Sequence, residues 1–254
     1  MEEEQLKIQR SNGVIDVTLN RDHKRNAFSQ EMSESLIELC QQIDYQQDRI
    51  LVIRAHENAK VWCAGHDLSV FDQLESFLDN NPMLALFDAL MSCPIPIMNL
   101  ITGDVYAGGL CLAICADFNL ARSHIKVGMP LNKMGLPLNE RIYGQFIHTI
   151  GLMKTKQLLL TGQPIYGESV LEQLGLFTAV FADQQALEEY AYQLIEGVKS
   201  CSPMGIRNSK LELNALANSK MIHEDAHDLR REVLLSEDLK NRVASMQNKF
   251  KNHH

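Results

Sequence analysis

No apolar run in the chain approaches the roughly 20 residues that cross a bilayer; the longest, Ile95 to Ile101 and Leu110 to Ala116, break off far sooner. The charged start Met1-Glu2-Glu3-Glu4 has neither the basic nor the apolar region of a signal peptide. No membrane association is expected, and the cytoplasm is the expected location. A C-x-x-C pair is also missing. The 6 cysteines, at 40, 63, 93, 111, 115 and 201, are scattered in a way that argues against a zinc ribbon or a thioredoxin-like pair. Basic excess is lacking too: 24 Lys and Arg against 32 Asp and Glu leave a formal charge of -8, so no nucleic acid partner is expected. With 45% hydrophobic and 22% charged residues, the composition excludes a disordered or fibrous chain.

What is present reads as a layered α/β protein. Lys7 to Arg10 and the alternating Val14 to Leu19, joined by Ser11-Asn12-Gly13, predict a β-hairpin. Ser29 then reads as the N-cap of a helix with Met32, Leu36, Leu39, Cys40 and Ile43 on one face, followed by a buried strand at Ile50 to Ile53. A second cycle predicts a polar helix over 82–91, a strand over 95–101, a turn at Gly103, a short apolar helix after Gly109 and a strand over 118–121. The two cycles, each with a glycine-bearing loop, resemble a structural repeat in geometry only. Beyond Asn139 helices are expected over 141–150, 153–160, 167–174 and 184–199, with a short strand at 177–181. From Pro203 onward three amphipathic segments carry apolar stripes that need a partner surface, on the core or on another subunit. The expected division is therefore a core over 1–200 and a C-terminal helical oligomerisation region over 201–254.

Two glycine turns carry the chemistry. In Ala64-Gly65-His66-Asp67, which follows an apolar strand region, the glycine permits a sharp bend that leaves the His66 backbone N–H to point into a cleft. Gly108, in Tyr106-Ala107-Gly108-Gly109, precedes an apolar helix whose first N–H groups and dipole favour negative charge. Two such donors aimed at one thioester oxygen would form an oxyanion hole, and one well-placed donor contributes about 2.7–4 kcal/mol to a transition state. The competing reading is that both are tight turns serving chain reversal alone.

The segments Leu19 to Phe28, Trp62 to Leu68, Gly103 to Leu110 with Cys115-Ala116-Asp117, Gly128-Met129-Pro130, Gly135-Leu136-Pro137, Leu159 to Gly162 and Leu174-Gly175-Leu176 resemble, in order and spacing, the crotonase (enoyl-CoA hydratase/isomerase) family. The resemblance implies an α/β fold of the ClpP/crotonase type, a spiral of β-β-α units with a C-terminal helical trimerisation region, assembled as a homotrimer or a hexamer. It places the oxyanion N–H groups on His66 and Gly108. It also implies that Arg25, Ala27 and the stretch Ala64, Gly65, Asp67 and Leu68 contact the coenzyme A of an acyl-CoA thioester, and that Tyr106, Cys111, Leu131 and Leu138 belong to the same coenzyme A and substrate site. No cofactor is expected beyond the coenzyme A of the substrate, and no metal.

The chain departs from the family pattern at two positions. Hydratases of the family carry one glutamate on the helix after the glycine turn and another after the proline of Gly128-Met129-Pro130, and here these positions hold Cys111 and Leu131. Loss of a positioned acid or base removes typically about 10²–10⁴ in rate, so ordinary hydration is not expected. Ala-Gly-His-Asp and Gly135 to Asn139 are most similar to the family's decarboxylases of methylmalonyl-CoA, although these carry a tyrosine at the position of Leu138. Decarboxylation yields the same thioester enolate with less proton handling. The expected activity is thus that of an acyl-CoA lyase, and the alternative is an acyl-CoA binder of degenerate or absent activity.

For several side chains two readings stay open. The His66 ring could contact a substrate carboxylate or return a proton, or it could pack at the cleft edge. Glu140 and Tyr143 could supply a displaced acid, or Glu140 could complement a helix dipole. Cys111 could be an activated thiol or a small core residue. His223-Glu224-Asp225-Ala226-His227 matches the H-E-x-x-H zinc pattern, but its charged surroundings favour a solvated helix face.

Overall fold

The computed structural model describes residues 4–67, 82–133, 135–136, 138–217, 236–237 and 239–241. The His223 to His227 segment and Leu68 lie outside them.

Strands β1 (Leu6–Ser11) and β2 (Val14–Leu19) form the expected antiparallel hairpin. In β2 the alternation is complete: Ile15, Val17 and Leu19 are fully buried, and Val14, Asp16 and Thr18 face the other side. Helix α1 (Gln30–Gln41) starts where expected, with the Ser29 Oγ accepting from Met32 N at 3.1 Å. Strands β3 (Ile50–Ala55), β5 (Ile97–Ile101), β7 (Phe118–Arg122) and β10 (Ala179–Phe181) continue the sheet in parallel, in the order β1-β2-β3-β5-β7-β10. β3 and β5 are buried on both faces, as central parallel strands covered by helices must be.

A second sheet, ordered β4-β6-β8-β9, consists of β4 (Val61–Cys63), β6 (Asp104–Tyr106), β8 (Lys126–Gly128) and β9 (Ile165–Tyr166). Each of β3, β5 and β7 is followed within a few residues by β4, β6 or β8, and then by helix α2 (Pro82–Met91), α3 (Gly108–Cys115) or α4 (Glu140–Thr161). This is a spiral of β-β-α units, with the first strand of each in the large sheet and the second in the small one. Further helices among the described residues are α5 (Glu168–Glu172), α6 (Gln184–Ser200) and α7 (Pro203–Ala217).

Several expectations need correction. Helix α2 is apolar, with Met83, Leu86, Phe87, Leu90 and Met91 buried, because it packs between α1 and α3 inside the core. The turn at Gly103 leads into β6, and α3 starts at Gly108. β6, β8 and β9, of two or three residues, are too short to show an alternating pattern, so the sequence predicts none of them as strands, whereas β4 is the apolar strand region that precedes Ala64. The break in α4 falls at Gly151, as expected, with φ 78° and ψ 157°.

Candidate functional site

The two glycine turns meet. A methyl group built on Gly65, whose φ is +103°, would stand 2.7 Å from Gly108 N and 2.9 Å from Ala107 Cβ. One built on Gly108 would stand 3.1 Å from the Gly65 Cα and 2.7 Å from the Met83 Cε. At Gly65 the positive φ and the backbone nitrogen beneath it leave room for glycine alone, and at Gly108 a side chain would crowd Gly65 and displace Met83, which answers the reading of two unrelated chain reversals.

The direction of the first donor follows from its peptide plane. Phe28 N donates to Gly65 O at 2.7 Å, and Asp67 N donates to Phe28 O at 2.9 Å, so His66 sits between two bonds made to one strand-like neighbour. A trans peptide points its C=O and N–H in opposite directions. With the Gly65 C=O held by Phe28, the His66 N–H is aimed away from Phe28. The second donor is set by Ala107, whose φ of 47° and ψ of -116° are unusual for a residue with a side chain. Such a conformation costs of order 1–3 kcal/mol, and it persists because Ala107 is held on both sides. Its N donates to Gly128 O at 3.0 Å, and its O accepts from Leu110 N at 3.0 Å and Cys111 N at 3.2 Å. Gly108 is the first residue of α3, so its N–H has no acceptor within the helix.

The stretch predicted to contact coenzyme A is assembled from the chain's two distant loops. Ala64 N donates to Arg25 O at 3.1 Å, which joins the 21–28 loop to the Gly65 turn. Arg25 and Asn26 are both left-handed, at φ 55° and 51°. Arg25 is exposed, and Ala27 is buried beneath it. The Asp67 carboxylate is turned inward, 2.7 Å from an Arg21 guanidinium nitrogen. Tyr106 is half-buried, and its hydroxyl donates to Asp104 Oδ2 at 3.1 Å. Burial and then the Asp104 carboxylate push the phenol up to about 12, against the pull of the Arg25 cation. Tyr106 is therefore neutral at physiological pH.

The His66 ring is half-buried, with Nδ1 3.4 Å from Phe28 O. Burial lowers its pKa below 6.5, partly offset by the Phe28 carbonyl, so the imidazole is neutral at pH 7. It cannot attract a substrate carboxylate by charge, although it can donate or accept one proton. Cys111 is 2% exposed, and burial, followed by the nearby Cys63, pushes its thiol up to about 12. That removes the thiolate needed for nucleophilic attack and favours the core reading. Leu131 lies in the short 3-10 helix Pro130–Lys133, and both it and Leu138 pack against the main core. They connect to the glycine turns through Gly128, the acceptor for Ala107. Tyr143 is half-buried, and its hydroxyl accepts from Leu138 N at 3.3 Å. Glu140 is exposed at the first turn of α4, where Asn139 caps the helix by accepting from Arg141 N at 2.9 Å. Its position matches a dipole-complementing side chain.

Sequence reasoning assigned no role to Arg21, Phe28 or Met83. The first two lie in the quoted Leu19 to Phe28 loop, where Arg21 is one of two arginines among turn-forming residues and nothing local sets it apart from Arg25. Met83 reaches Gly108 from a helix that the sequence predicts as solvent-facing, so nothing local marks it.

The model of the family described as enoyl-CoA hydratase/isomerase matches residues 9–249. Among characterised relatives, methylmalonyl-CoA decarboxylase of Escherichia coli is 24% identical over 233 residues, spanning 89% of this chain and 88% of that protein. An enoyl-CoA isomerase/hydratase of Mycosarcoma maydis is 28% identical over 225 residues, with 82% and 80% covered. Among solved structures, an enoyl-CoA hydratase/carnitine racemase from Magnetospirillum magneticum superposes with a TM-score of 0.86 at 23% identity, covering 98% of this chain and 94% of that one. The family match over nearly the whole chain, the spiral of β-β-α units and the paired glycine turns lead to one conclusion: this chain belongs to the enoyl-CoA hydratase/isomerase, or crotonase, family.

Proposed function

We propose that the protein binds an acyl-CoA thioester and stabilises its enolate between the His66 and Gly108 N–H groups, acting as a decarboxylase of the methylmalonyl-CoA type. The observation that carries this reading is the contact between Gly65 and Gly108 beside a buried Cys111, whose thiol is held protonated where hydratases keep a carboxylate. Two donors remain for a developing oxyanion while the acids that handle water are replaced. When the bond to the departing carboxylate breaks, its electron pair passes to the α-carbon and on to the thioester oxygen, where the N–H groups hold the charge. CO₂ leaves, and the α-carbon takes a proton from water, either directly or relayed through the His66 ring, which regains its own proton from that water. Arg25, Ala27, Ala64, Gly65, Asp67 and Leu68 form the coenzyme A side of this proposed site, and Tyr106, Cys111, Leu131 and Leu138 its acyl side. The reaction calls for no cofactor besides the substrate's own coenzyme A, and the protein is assigned to the cytoplasm.

The same observation also supports a second reading, an acyl-CoA binder that keeps the oxyanion turns without turnover. Incubation with methylmalonyl-CoA, malonyl-CoA and crotonyl-CoA, following CO₂ release and hydration, separates the two. CO₂ release is the expected outcome; tight binding with no turnover selects the binder, and hydration at the rate of an ordinary hydratase refutes both. In the decarboxylating protein, His66→Ala identifies the proton's route: unchanged turnover means that water delivers it directly.

A further inference from the structure

Arg21 is folded into the loop that carries Phe28, and its guanidinium reaches both sides of the bridge between that loop and the Gly65 turn. One terminal nitrogen donates to Ala27 O at 2.9 Å, and the other lies 2.7 Å from Asp67 Oδ2. Both side chains are mostly buried, 14% exposed for Arg21 and 18% for Asp67, so the pair is shielded from the solvent that weakens surface ion pairs. The backbone of Arg21 is held as well. Its N donates to Asn26 Oδ1 at 2.9 Å, and its O accepts from Lys24 N and Asn26 N, both at 2.9 Å. Asn26 is itself fully buried and donates from Nδ2 to Val61 O at 3.2 Å, fixing the loop to β4.

Ala27 precedes Phe28, whose N–H and C=O make the two bonds of the bridge, and Asp67 is the donor of the second of them. We propose that Arg21 is a positioning residue for the oxyanion hole: by clamping Ala27 O and the Asp67 carboxylate, it sets the plane of the Gly65–His66 peptide and so the direction of the His66 N–H. A planar fork with separate donors suits this task, because one cation can hold two acceptors in a fixed relative orientation. A lysine would keep the charge opposite Asp67 and lose the second, geometrically fixed donor. The inference rests on the acyl-CoA reading above, because a misdirected N–H is felt only by a bound thioester oxygen.

The test uses 4-(dimethylamino)cinnamoyl-CoA, a chromophoric thioester whose absorption band moves to the red when its carbonyl is polarised. The band is recorded with the probe saturated by full-length protein, so its position reports the bound complex and not the affinity. Wild type is expected to shift the band to the red, Arg21→Gln and Asp67→Asn to lose more than half of that shift, and Arg21→Lys to fall between. Where Arg21→Gln does not fold, judged by its circular dichroism, Asp67→Asn carries the test, because it removes one end of the clamp and keeps the side-chain volume. A purely structural role alters folding or affinity and leaves the band of the saturated complex unmoved. A full wild-type shift in the folded variants therefore overturns the clamp. A probe that binds wild type without any shift overturns the oxyanion reading itself, and a probe that does not bind overturns the acyl-CoA reading.

Discussion

Cys111 shows how a single side chain changes the meaning of a site without disturbing the fold. A carboxylate at this place would have to be kept ionised in the first turn of α3, whereas a thiol can be buried as a neutral group. Burial raises both Cys111 and Cys63 to about 12 from an ordinary value near 9. The sign of the linkage follows. Between pH 9 and 12 the unfolded chain loses these protons and the native protein keeps them, so stability is intact below about pH 9 and falls as pH rises toward 12. Each such thiol is expected to take away about 1.4 kcal/mol between pH 8 and pH 10. Urea unfolding at the two pH values measures this, and Cys111→Ala should show a drop smaller by that amount, whatever its stability at pH 8. An equal drop in the variant would mean that Cys111 ionises inside the folded protein. At this scale the sequence was informative about which residue types are absent. It was silent on Arg21 and Met83, whose importance depends on partners 46 and 25 positions away.

At the level of elements, legibility followed length. α1, α6 and β2 were readable because each shows its period over at least six residues, β3 because its apolar run marks a buried strand, and the cap at Ser29 and the break at Gly151 because they rest on local chemistry. The small sheet beyond β4 was not, since β6, β8 and β9 exist through pairing within that sheet rather than through any pattern of their own. Lys210 is a further case, a lysine in a predicted amphipathic segment that proves to be buried. Its Nζ donates to Ile95 O at 2.8 Å and to Asp117 Oδ2 at 2.7 Å, and the same carboxylate oxygen accepts from Ile97 N at 2.7 Å. α7 is thereby fastened to the start of β5 and to the loop before β7. Lys210→Met fills much of the same space while leaving Ile95 O and Asp117 without their cation. Removing one member of a buried pair costs about 3–5 kcal/mol, and the partial exposure of Asp117 places this one near the lower end. Urea unfolding should show that loss, together with faster amide exchange along α7. A variant as stable as wild type would show that packing alone holds the helix.

For the whole molecule, the fold class was readable because segments spread from Leu19 to Leu176 resemble the family in order and spacing, and no single motif carried it. The fold leaves large apolar side chains uncovered. Met153 is 75% exposed, Leu160 70% and Tyr166 63%, a high fraction for large apolar side chains on ordered elements. Met153 and Leu160 lie seven residues apart on the second half of α4, which puts them on one side of it, and the chain then turns directly into β9 with Tyr166. We propose that this surface and the region over 201–254 bury themselves between copies of the chain in a homotrimer, or in a hexamer built from trimers. Burial of such side chains is worth roughly 1.5–3 kcal/mol each, so a charge placed among them should act strongly. The double variant Met153→Glu, Leu160→Glu is therefore expected to sediment as a monomer at concentrations where wild type sediments as a trimer or larger. Its secondary structure by circular dichroism should be unchanged, because both side chains already face outward in the single subunit. A wild-type protein that is monomeric across the concentration range, or a double variant that still assembles, would show that these residues face solvent for some other reason and that association, if any, uses a different surface.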